Sequence, residues 1–261
     1  CEFGYSIDKL KVMKKISSIC IDPGHVGGNT LDFREVIRGG LSLREGDFCF
    51  HWAKHLKQSF ESQGISCVLT REFGKRSLAA PAEAIELRCE QLLVQYGGHA
   101  QVLSQKFCIP PTWRQGLSEE QVLREAVANE LDLSHRASIA NRSGCDLFLS
   151  LHLNGAENVA HSHLDGICGF SNRANPLFNE IVTSVADSFG LYFVDYPQFK
   201  SLGDGVYERD LLLLREARIP VLILEGPFQT GPLFESMVDE AKKHCTITAP
   251  SLHHHCTITA P

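Results

Sequence analysis

Short apolar runs separated by polar and glycine-containing stretches are the main pattern along the chain. The runs that are rich in β-branched or other apolar residues predict strands at 16–21 (ISSICI), 65–70 (ISCVLT), 146–151 (DLFLSL), 166–170 and 221–224 (VLIL). Between the first two runs, apolar side chains recur every four positions at Phe48, Trp52, Leu56 and Phe60. This period predicts a helix over about residues 45–63 with one apolar face. Strand, helix and strand in this order are typical of a parallel sheet with a right-handed crossover.

Amphipathic stretches later in the chain predict further helices. We expect them over about residues 81–97, 118–130, 132–143, 175–189, 211–215 and 232–243. The stretch 74–130 is longer than a usual connection between two strands, which predicts a helical insertion. This insertion is either a packing decoration or a lid or regulatory element. The expected fold is therefore α/β, with a twisted, mainly parallel sheet flanked by helices, in one catalytic domain over residues 1–243.

The C-terminal tail carries a short repeat. The heptapeptide HCTITAP occurs at 244–250 and again at 255–261. Two copies are too few for a solenoid, which needs about three repeats. We therefore expect residues 244–261 to lie outside the fold.

Composition and charge exclude several classes of protein. The formal net charge is −6 at pH 7, which argues against nucleic acid as a partner because binding it needs a basic face. No run reaches the ~18–20 apolar residues that span a bilayer, so no transmembrane segment is expected. None of the ten cysteines is spaced as Cys-x-x-Cys, which excludes zinc-ribbon and thioredoxin-like arrangements.

Three of the predicted strands are followed by a residue that can bind a metal or carry a proton. The first strand leads through Asp-Pro-Gly to His25, the third is followed by His152, and the last by Glu225. Glu45, at the start of the first predicted helix, is placed near the same edge, because the carboxyl ends of parallel strands meet there. Two imidazoles and one carboxylate with an open fourth position are the usual ligands of a catalytic zinc ion. A second carboxylate is then needed as general base and acid.

Five segments of the sequence resemble one family of enzymes. They are ICIDPGHVGG, LREGDF, VLTR, RASIANRSGCDLFLSLHLNG and IPVLILEGPF, in this order between about residues 16 and 243. In these motifs the chain resembles the zinc-dependent N-acetylmuramoyl-L-alanine amidases of the bacterial cell wall (amidase-3 type). The resemblance implies an α/β fold and hydrolysis of the amide bond between N-acetylmuramic acid and L-alanine in peptidoglycan.

The resemblance also implies roles for individual residues. One Zn²⁺ ion is implied as cofactor, with His25, Glu45 and His152 as its ligands. The catalytic carboxylate would be Glu225. Asn154, two residues after the last ligand, would contact the substrate or order the loop.

Some matched positions are interpreted as structural, and some parts of the chain depart from the family. Arg71, Arg136 and Asn141 match positions that would satisfy backbone or side-chain partners near the site. Glu35 competes with Glu45 as the carboxylate ligand, and we favour Glu45 because the segment Arg-Glu-Gly-Asp leads directly into the helix. After the last strand the family tends to carry a Phe and a Ser-Asn pair, whereas this chain has EGPFQT, so its substrate-side loop is expected to differ.

The expected partner is peptidoglycan, with an activator or regulatory protein as a second candidate. A periplasmic or extracellular location follows from where peptidoglycan lies and not from a signal in this chain. Two alternatives stay open. One is a zinc hydrolase of the same site type that acts on other amide or peptide substrates, and the other is a metal-free cell-wall binding module.

Overall fold

The strands that the structure describes form one large sheet and one small sheet. A computed structural model describes residues 16–26, 35–38, 41–109, 116–154, 168–171, 201–203 and 205–228, together with 234 and 236. The strands in these residues are β1 (Ser18–Pro23), β2 (Glu35–Arg38), β3 (Leu41–Arg44), β4 (Ser66–Leu69), β5 (Leu147–Asn154), β6 (Cys168–Ser171), β7 (Ser201–Gly203), β8 (Val206–Glu208) and β9 (Val221–Phe228). The large sheet has the order β4-β1-β5-β9-β6-β8-β7, and β2 and β3 form an antiparallel pair.

Parallel pairing dominates the large sheet, as the sequence predicts. Strands β4, β1, β5 and β9 run parallel to one another, and so do β6 and β8. Only two pairs in the described part of this sheet, β6 with β9 and β7 with β8, are antiparallel. The predicted α/β fold with a mainly parallel sheet is therefore confirmed.

Five helices accompany these strands in the described residues. They are α1 (Glu45–Ser62), α2 (Ala82–Tyr96), α3 (His99–Gln101), α4 (Glu119–Ser143) and α5 (Leu212–Glu216), and a π-helical turn over Val102–Lys106 continues α3. The predicted unit of strand, helix and strand is confirmed, because α1 lies in the chain between the parallel neighbours β1 and β4 and packs against both.

Two apolar layers cover the faces of the large sheet. One layer lies between the sheet and α1 and includes Ile19, Ile21, Leu149, Ala53 and Leu56. The other lies between the sheet and α4 and includes Cys20, Phe148, Ile223, Ala137 and Ala140. Alternate residues of each central strand thus face opposite layers. Because both faces are buried, the ends of these strands are held in fixed positions.

Helix α4 is one continuous helix where the sequence predicted two. It begins after Ser118, whose hydroxyl accepts a hydrogen bond from the amide of Gln121 (3.2 Å) while the Gln121 side chain accepts one from the Ser118 amide (2.8 Å). Gly144 follows the last turn in the left-handed conformation. The predicted break between 130 and 132 was wrong. Asp132, a residue type common at helix ends, is buried inside the helix and paired with Arg136 one turn later.

Strands β5 and β9 also extend beyond the apolar runs that predicted them. The ladder between them continues past Leu224 to pair His152 with Glu225, and β6 pairs with Glu225 from the other side. His152 and Glu225 therefore lie inside strands and not directly after them, as the sequence had suggested. Pairing on both sides of β9 supplies backbone partners that an apolar pattern does not reveal.

The helical stretch between β4 and β5 has an apolar cluster of its own. The cluster joins α2, the π-helical turn and the first half of α4, and it includes Cys89, Leu92, Val102, Leu103, Val122, Leu123 and Val127. The second half of α4 packs on the sheet. One helix thus belongs to both clusters and connects this stretch to the sheet. The choice between a lid and a packing decoration stays a prediction.

Some predicted segments lie outside the described residues. These are the helix over 175–189, all of the helix over 232–243 except residues 234 and 236, and the tail 244–261. Among the helices that the structure describes, none combines the length and the apolar character that crossing a membrane requires.

Asp146 connects the start of β5 to the start of β1. Its Oδ2 accepts hydrogen bonds from the amides and hydroxyls of Ser17 and Ser18 at 2.8–3.1 Å. Partial burial would raise the pKa of Asp146, but these hydrogen bonds bring it below its usual value. We expect Asp146→Asn to lower the free energy of unfolding at pH 7 by about 1 kcal/mol, because water competes for this partly exposed group.

The expected effect of Asp146→Asn depends on pH in one direction. A carboxyl with a lowered pKa in the folded state stabilises the fold above its unfolded pKa of about 3.9, and this contribution disappears as the pH falls through the folded pKa. Urea unfolding of both proteins should therefore show a gap at pH 7 that closes in acid. Asp210→Asn, at an exposed surface pair with Arg215, serves as the control. A gap of the same size at every pH would contradict this role of Asp146.

Candidate metal centre

His25 follows β1 on a tight turn that is connected to β5. The amide of Gly24 donates a hydrogen bond to the carbonyl of Leu151 at 2.8 Å. A Cβ atom at Gly24 would lie 2.4 Å from that carbonyl oxygen and 2.6 Å from the His152 ring, so only glycine fits there. His25 itself adopts the left-handed conformation with φ of 51°, which is uncommon for a residue other than glycine. The turn places the His25 and His152 rings with their centroids 4.8 Å apart.

Glu45 reaches the same position from the start of α1. The strand β3 ends at Arg44, and the helix begins with Glu45, so the carboxylate lies at a helix N-terminus, where negative charge is favourable. Its exposed fraction is only 2%. Oε1 accepts a hydrogen bond from the amide of Leu153 in β5 at 2.8 Å. This bond fixes the carboxylate beside the strand that carries His152.

The side chains of His25, Glu45 and His152 form the group that could hold a metal ion. Oε1 of Glu45 lies 3.2 Å from Nε2 of His25 and 3.5 Å from Nδ1 of His152. One candidate ligand atom from each residue lies within 4.8 Å of the others. Ligands of one tetrahedral zinc ion, each about 2.0–2.2 Å from it, are separated by roughly 3.3–3.5 Å. The donor set and the two distances between carboxylate and imidazole therefore fit a zinc ion.

The electrostatics of the group favour an ionised carboxylate. Burial would raise the pKa of Glu45, but the charge and hydrogen bonding of the His25 and His152 imidazoles hold it well below its usual range. An ionised carboxylate oxygen is the form that coordinates a divalent cation. Glu45 therefore needs no deprotonation before it coordinates a metal at neutral pH, whereas each imidazole coordinates only in its neutral form.

Glu225 lies on the strand next to His152. The two residues are direct partners in the parallel ladder between β5 and β9, and partners in a ladder project from the same face of a sheet about 4.8 Å apart. Glu225 is partly buried, and the neighbouring Gly226 is buried. A Cβ at Gly226 would lie 3.0 Å from the carbonyl of His152 and 3.2 Å from the Trp52 ring. The ladder therefore places a second acidic residue next to His152.

Cys49 is a further buried group near the site that sequence reasoning did not single out. It lies one turn after Glu45 on α1 and is fully buried. Burial, followed by the negative charge of Glu45, raises the pKa of the Cys49 thiol well above its ordinary value. The thiol stays protonated at neutral pH, and a protonated thiol is a poor metal ligand.

Asn154 is the last residue of β5 and is 9% exposed. Its Nδ2 lies 3.7 Å from Sγ of Cys168 in β6 and donates to it. This contact links the end of β5 to a strand on the far side of β9. A contact of Asn154 with substrate stays a prediction.

The three residues interpreted as structural all have backbone partners, and those of two of them lie near the site. Arg71 donates to the carbonyls of Pro23, Gly24 and Gly46. Arg136 donates to the carbonyl of Pro23 and to two buried aspartates. Asn141 donates to the carbonyl of Glu216 and accepts from the amide of Arg218. The prediction of partners near the site is confirmed for Arg71 and Arg136. It is wrong for Asn141, whose partners precede the start of β9, at the end of the sheet opposite to Glu225.

Asp22 is a second residue of the site region that the sequence analysis did not single out. It is fully buried in β1 and accepts hydrogen bonds from Thr70 (2.5 Å), Ser150 (2.7 Å) and Arg136 (3.3 Å). The signal was present in the sequence, since an aspartate directly after an apolar strand is costly to bury without partners.

A family model matches the C-terminal half of the chain. The model described as N-acetylmuramoyl-L-alanine amidase matches residues 114–247, just over half of the chain. This range includes His152, Asn154 and Glu225, whereas His25 and Glu45 precede it. No curated protein sequence matches the chain at a significant level.

Solved structures of similar fold cover most of the chain. An N-acetylmuramoyl-L-alanine amidase from Clostridium difficile 630 has a TM-score of 0.51 at 19% identity, covering 86% of each chain. The CwlD amidase from Clostridioides difficile, solved with the GerS lipoprotein, has a TM-score of 0.52 at 19% identity, covering 85% of this chain and 88% of its own. Ami1 from Mycobacterium abscessus has a TM-score of 0.50 at 16% identity, covering 84% and 87%. Likeness at these identities shows a shared fold.

Proposed function

The chain belongs to the N-acetylmuramoyl-L-alanine amidase family (amidase-3 type), and we propose that one zinc ion held by His25, Glu45 and His152 serves its reaction. Members of this family cleave the amide bond between N-acetylmuramic acid and L-alanine in peptidoglycan. The observation that supports the proposal is the cluster of two imidazole nitrogens around one buried carboxylate oxygen, at 3.2 and 3.5 Å. These groups come from three separate parts of the chain, and such convergence is typical of a metal site.

The hydrolysis needs a proton to move from water to the leaving amine. When bound at such a site, zinc lowers the pKa of water to about 7 and polarises a carbonyl group. Glu225, opposite His152 in the ladder, is proposed as general base and acid. Its carboxylate would accept a proton from the attacking water and deliver it to the alanine nitrogen as the C–N bond breaks. The products are the lactyl carboxylate on the sugar and a free amino group on the peptide.

Other residues of the chain would orient this chemistry. The amide of Leu153 holds Oε1 of Glu45, and the tight turn at Gly24 holds His25 against the end of β5. Asn154 is proposed to order the end of β5 or to contact the substrate. Because the ligands lie on buried strand ends and on a helix terminus, they would need little rearrangement to bind a metal.

Peptidoglycan is the substrate, and it lies outside the cytoplasm. We propose that the chain acts in the periplasm or in the extracellular space, as this substrate requires. A regulatory protein is proposed as a second class of partner, because the similar CwlD amidase was solved in a complex with the GerS lipoprotein.

Metal content separates the proposed ligand set from its competitor. We expect about one zinc ion per wild-type chain and almost none in His25→Ala or Glu45→Ala, because a site with three protein ligands rarely survives the loss of one. Glu35→Ala is the matched control and should keep its zinc. In β2, Glu35 pairs with Arg44, the residue just before Glu45. The measurement is elemental analysis after gel filtration, with circular dichroism to check folding.

The opposite result would change the assignment. Zinc lost from Glu35→Ala but kept in Glu45→Ala would make Glu35 the carboxylate ligand. A wild-type chain that takes up no zinc when the metal is supplied would favour the cell-wall binding module. Comparing intact sacculi with free muropeptides and simple N-acyl peptides as substrates would distinguish a peptidoglycan amidase from a zinc hydrolase of other amides.

A further inference from the structure

Arg71 connects the two parts of the chain that deliver His25 and Glu45. Its Nε donates to the carbonyl of Pro23 at 2.8 Å, and Nη2 donates to the carbonyls of Gly24 at 3.1 Å and Gly46 at 2.9 Å. Gly24 directly precedes one candidate ligand and Gly46 directly follows the other. A single planar guanidinium therefore holds both the turn before His25 and the first turn of α1 after Glu45.

Both of these backbone segments need an external partner. The Gly24 turn leads into His25 with a φ of 51°, a conformation that persists only where the surrounding structure holds it. The Gly46 carbonyl belongs to the first turn of α1, beside the Glu45 carboxylate. Arg71 is 5% exposed, so its hydrogen bonds are protected from water and each is worth more than at the surface.

The position of Arg71 is itself fixed by the fold. It directly follows Thr70, whose amide donates to the carbonyl of Ile21 in β1. Its guanidinium carbon lies 5.6 Å from the centre of the Phe50 ring on α1, within cation–π distance. Arg71 is thus braced by β1 on one side and by α1 on the other.

We infer that Arg71 is a positioning residue that sets the metal affinity of the site by holding the Gly24 and Gly46 backbones in the geometry that His25 and Glu45 need. This inference rests on the proposed metal site, but it concerns how tightly a metal is held and not which amide is cleaved. Partners that orient metal ligands typically account for 10–100-fold in metal affinity. Arg71 acts on the backbone next to the two ligands and not on their side chains.

The test compares Arg71→Met with Lys57→Met in the full chain. Lys57, twelve residues after Glu45 on α1, likewise donates from a long cationic side chain to a backbone carbonyl, that of Cys67 in β4 at 2.7 Å. Its other described hydrogen bond goes to Glu61, so its side chain does not hold the backbone beside His25 or Glu45. Competition with a chelator measures the zinc dissociation constant of each protein. We expect Arg71→Met to bind zinc about 10–100-fold more weakly than wild type and Lys57→Met to bind it like wild type.

A second variant covers the case in which Arg71→Met does not fold. Arg71→Lys keeps the charge but has a single donor centre, which cannot reach three carbonyls that a planar fork spans. It should weaken zinc binding in the same direction, and turnover at saturating zinc should recover toward the wild-type value. A merely structural role would lower stability without this metal dependence.

Three outcomes would be informative in different ways. Wild-type zinc affinity in a folded Arg71→Met or Arg71→Lys protein would overturn the inference. Weaker zinc binding in both Arg71 variants and in Lys57→Met alike would also overturn it, because the effect would then be general destabilisation. A wild-type chain that binds zinc but leaves peptidoglycan intact would overturn the proposed function alone, and the comparison of zinc affinities would still test Arg71.

Discussion

Glu225→Gln should abolish turnover on purified peptidoglycan while leaving the zinc content at the wild-type value. General acid–base catalysis by a placed side chain typically contributes 10²–10⁴-fold, so we expect kcat to fall by about that factor. Glutamine keeps the size and shape of the side chain on β9 but neither accepts nor returns a proton at the lost carboxylate oxygen. The His25, Glu45 and His152 cluster lies on other elements and remains intact.

A matched control separates this effect from a general change of charge. Glu61→Gln removes one negative charge at the far end of α1, where Glu61 pairs with Lys57 on the surface. Its turnover and zinc content should both equal those of wild type. Release of amino groups from sacculi measures turnover, and elemental analysis measures zinc. If Glu225→Gln keeps wild-type turnover, Glu225 does not carry the proton, and another group must be sought beside His152.

The sequence could predict the candidate site residues because each of them lies beside a recognisable local pattern. Long apolar runs predict buried strands that lead into His152 and Glu225, and the carboxyl ends of parallel strands meet at one edge. The structure brings these two residues together as partners in the ladder, inside the strands and not directly after them. Glu45 could be placed because a four-residue apolar period begins just after it.

Contacts between side chains and distant backbone could not be predicted in this way. The bond from the Leu153 amide to Glu45 spans 108 positions, and the bond from Arg71 to Gly46 spans 25. Neither leaves a periodic trace in the sequence, because the acceptor or donor is a backbone group that every residue has. The short strands β2, β3, β7 and β8 were missed for a related reason. Each has only three or four residues, and none lies in a run of five or six residues like those that predicted the equally short β4 and β6.

The pair of Asp132 and Arg136 shows a different limit of sequence reasoning. An acidic residue four positions before a basic one is usually a solvated pair on a helix surface, worth a few tenths of a kcal/mol. Here both side chains have 0% exposure. Only the packing of α4 against the sheet and the insertion turns a common surface spacing into a buried ion pair. Burial, and not spacing, decides how much such a pair matters.

Arg136→Met should destabilise the fold by about 3–5 kcal/mol, the usual effect of removing one partner from a buried ion pair. Arg136 donates to Oδ2 of Asp132 at 2.8 and 2.6 Å and to Oδ1 of Asp22 at 3.3 Å, and all three side chains are fully buried. Without the guanidinium, two carboxylates remain in the interior with too few partners. Asp132 also accepts from the Leu78 amide. Loss of Arg136 would therefore break the series of hydrogen bonds that connects Leu78 through Asp132 and Arg136 to Asp22 in β1.

The pH dependence of Arg136→Met gives this prediction a second, sharper test. Burial alone would raise the pKa of Asp22, but Arg136 and the hydroxyls of Thr70 and Ser150 lower it below its usual value. The Asp22 contribution is therefore present above the unfolded pKa of about 3.9 and is lost as the pH falls through the folded pKa. Without Arg136 the burial effect dominates, so the stability of the variant should no longer fall in acid as that of wild type does. Urea unfolding between pH 3 and pH 7 would show whether the loss of stability shrinks as Asp22 becomes protonated, with the exposed Arg142→Met on the same helix as control. A loss that is equally large at both ends of this range would contradict the role of the buried charges. It would mean that the missing hydrogen bond to Pro23 and the lost packing account for the effect.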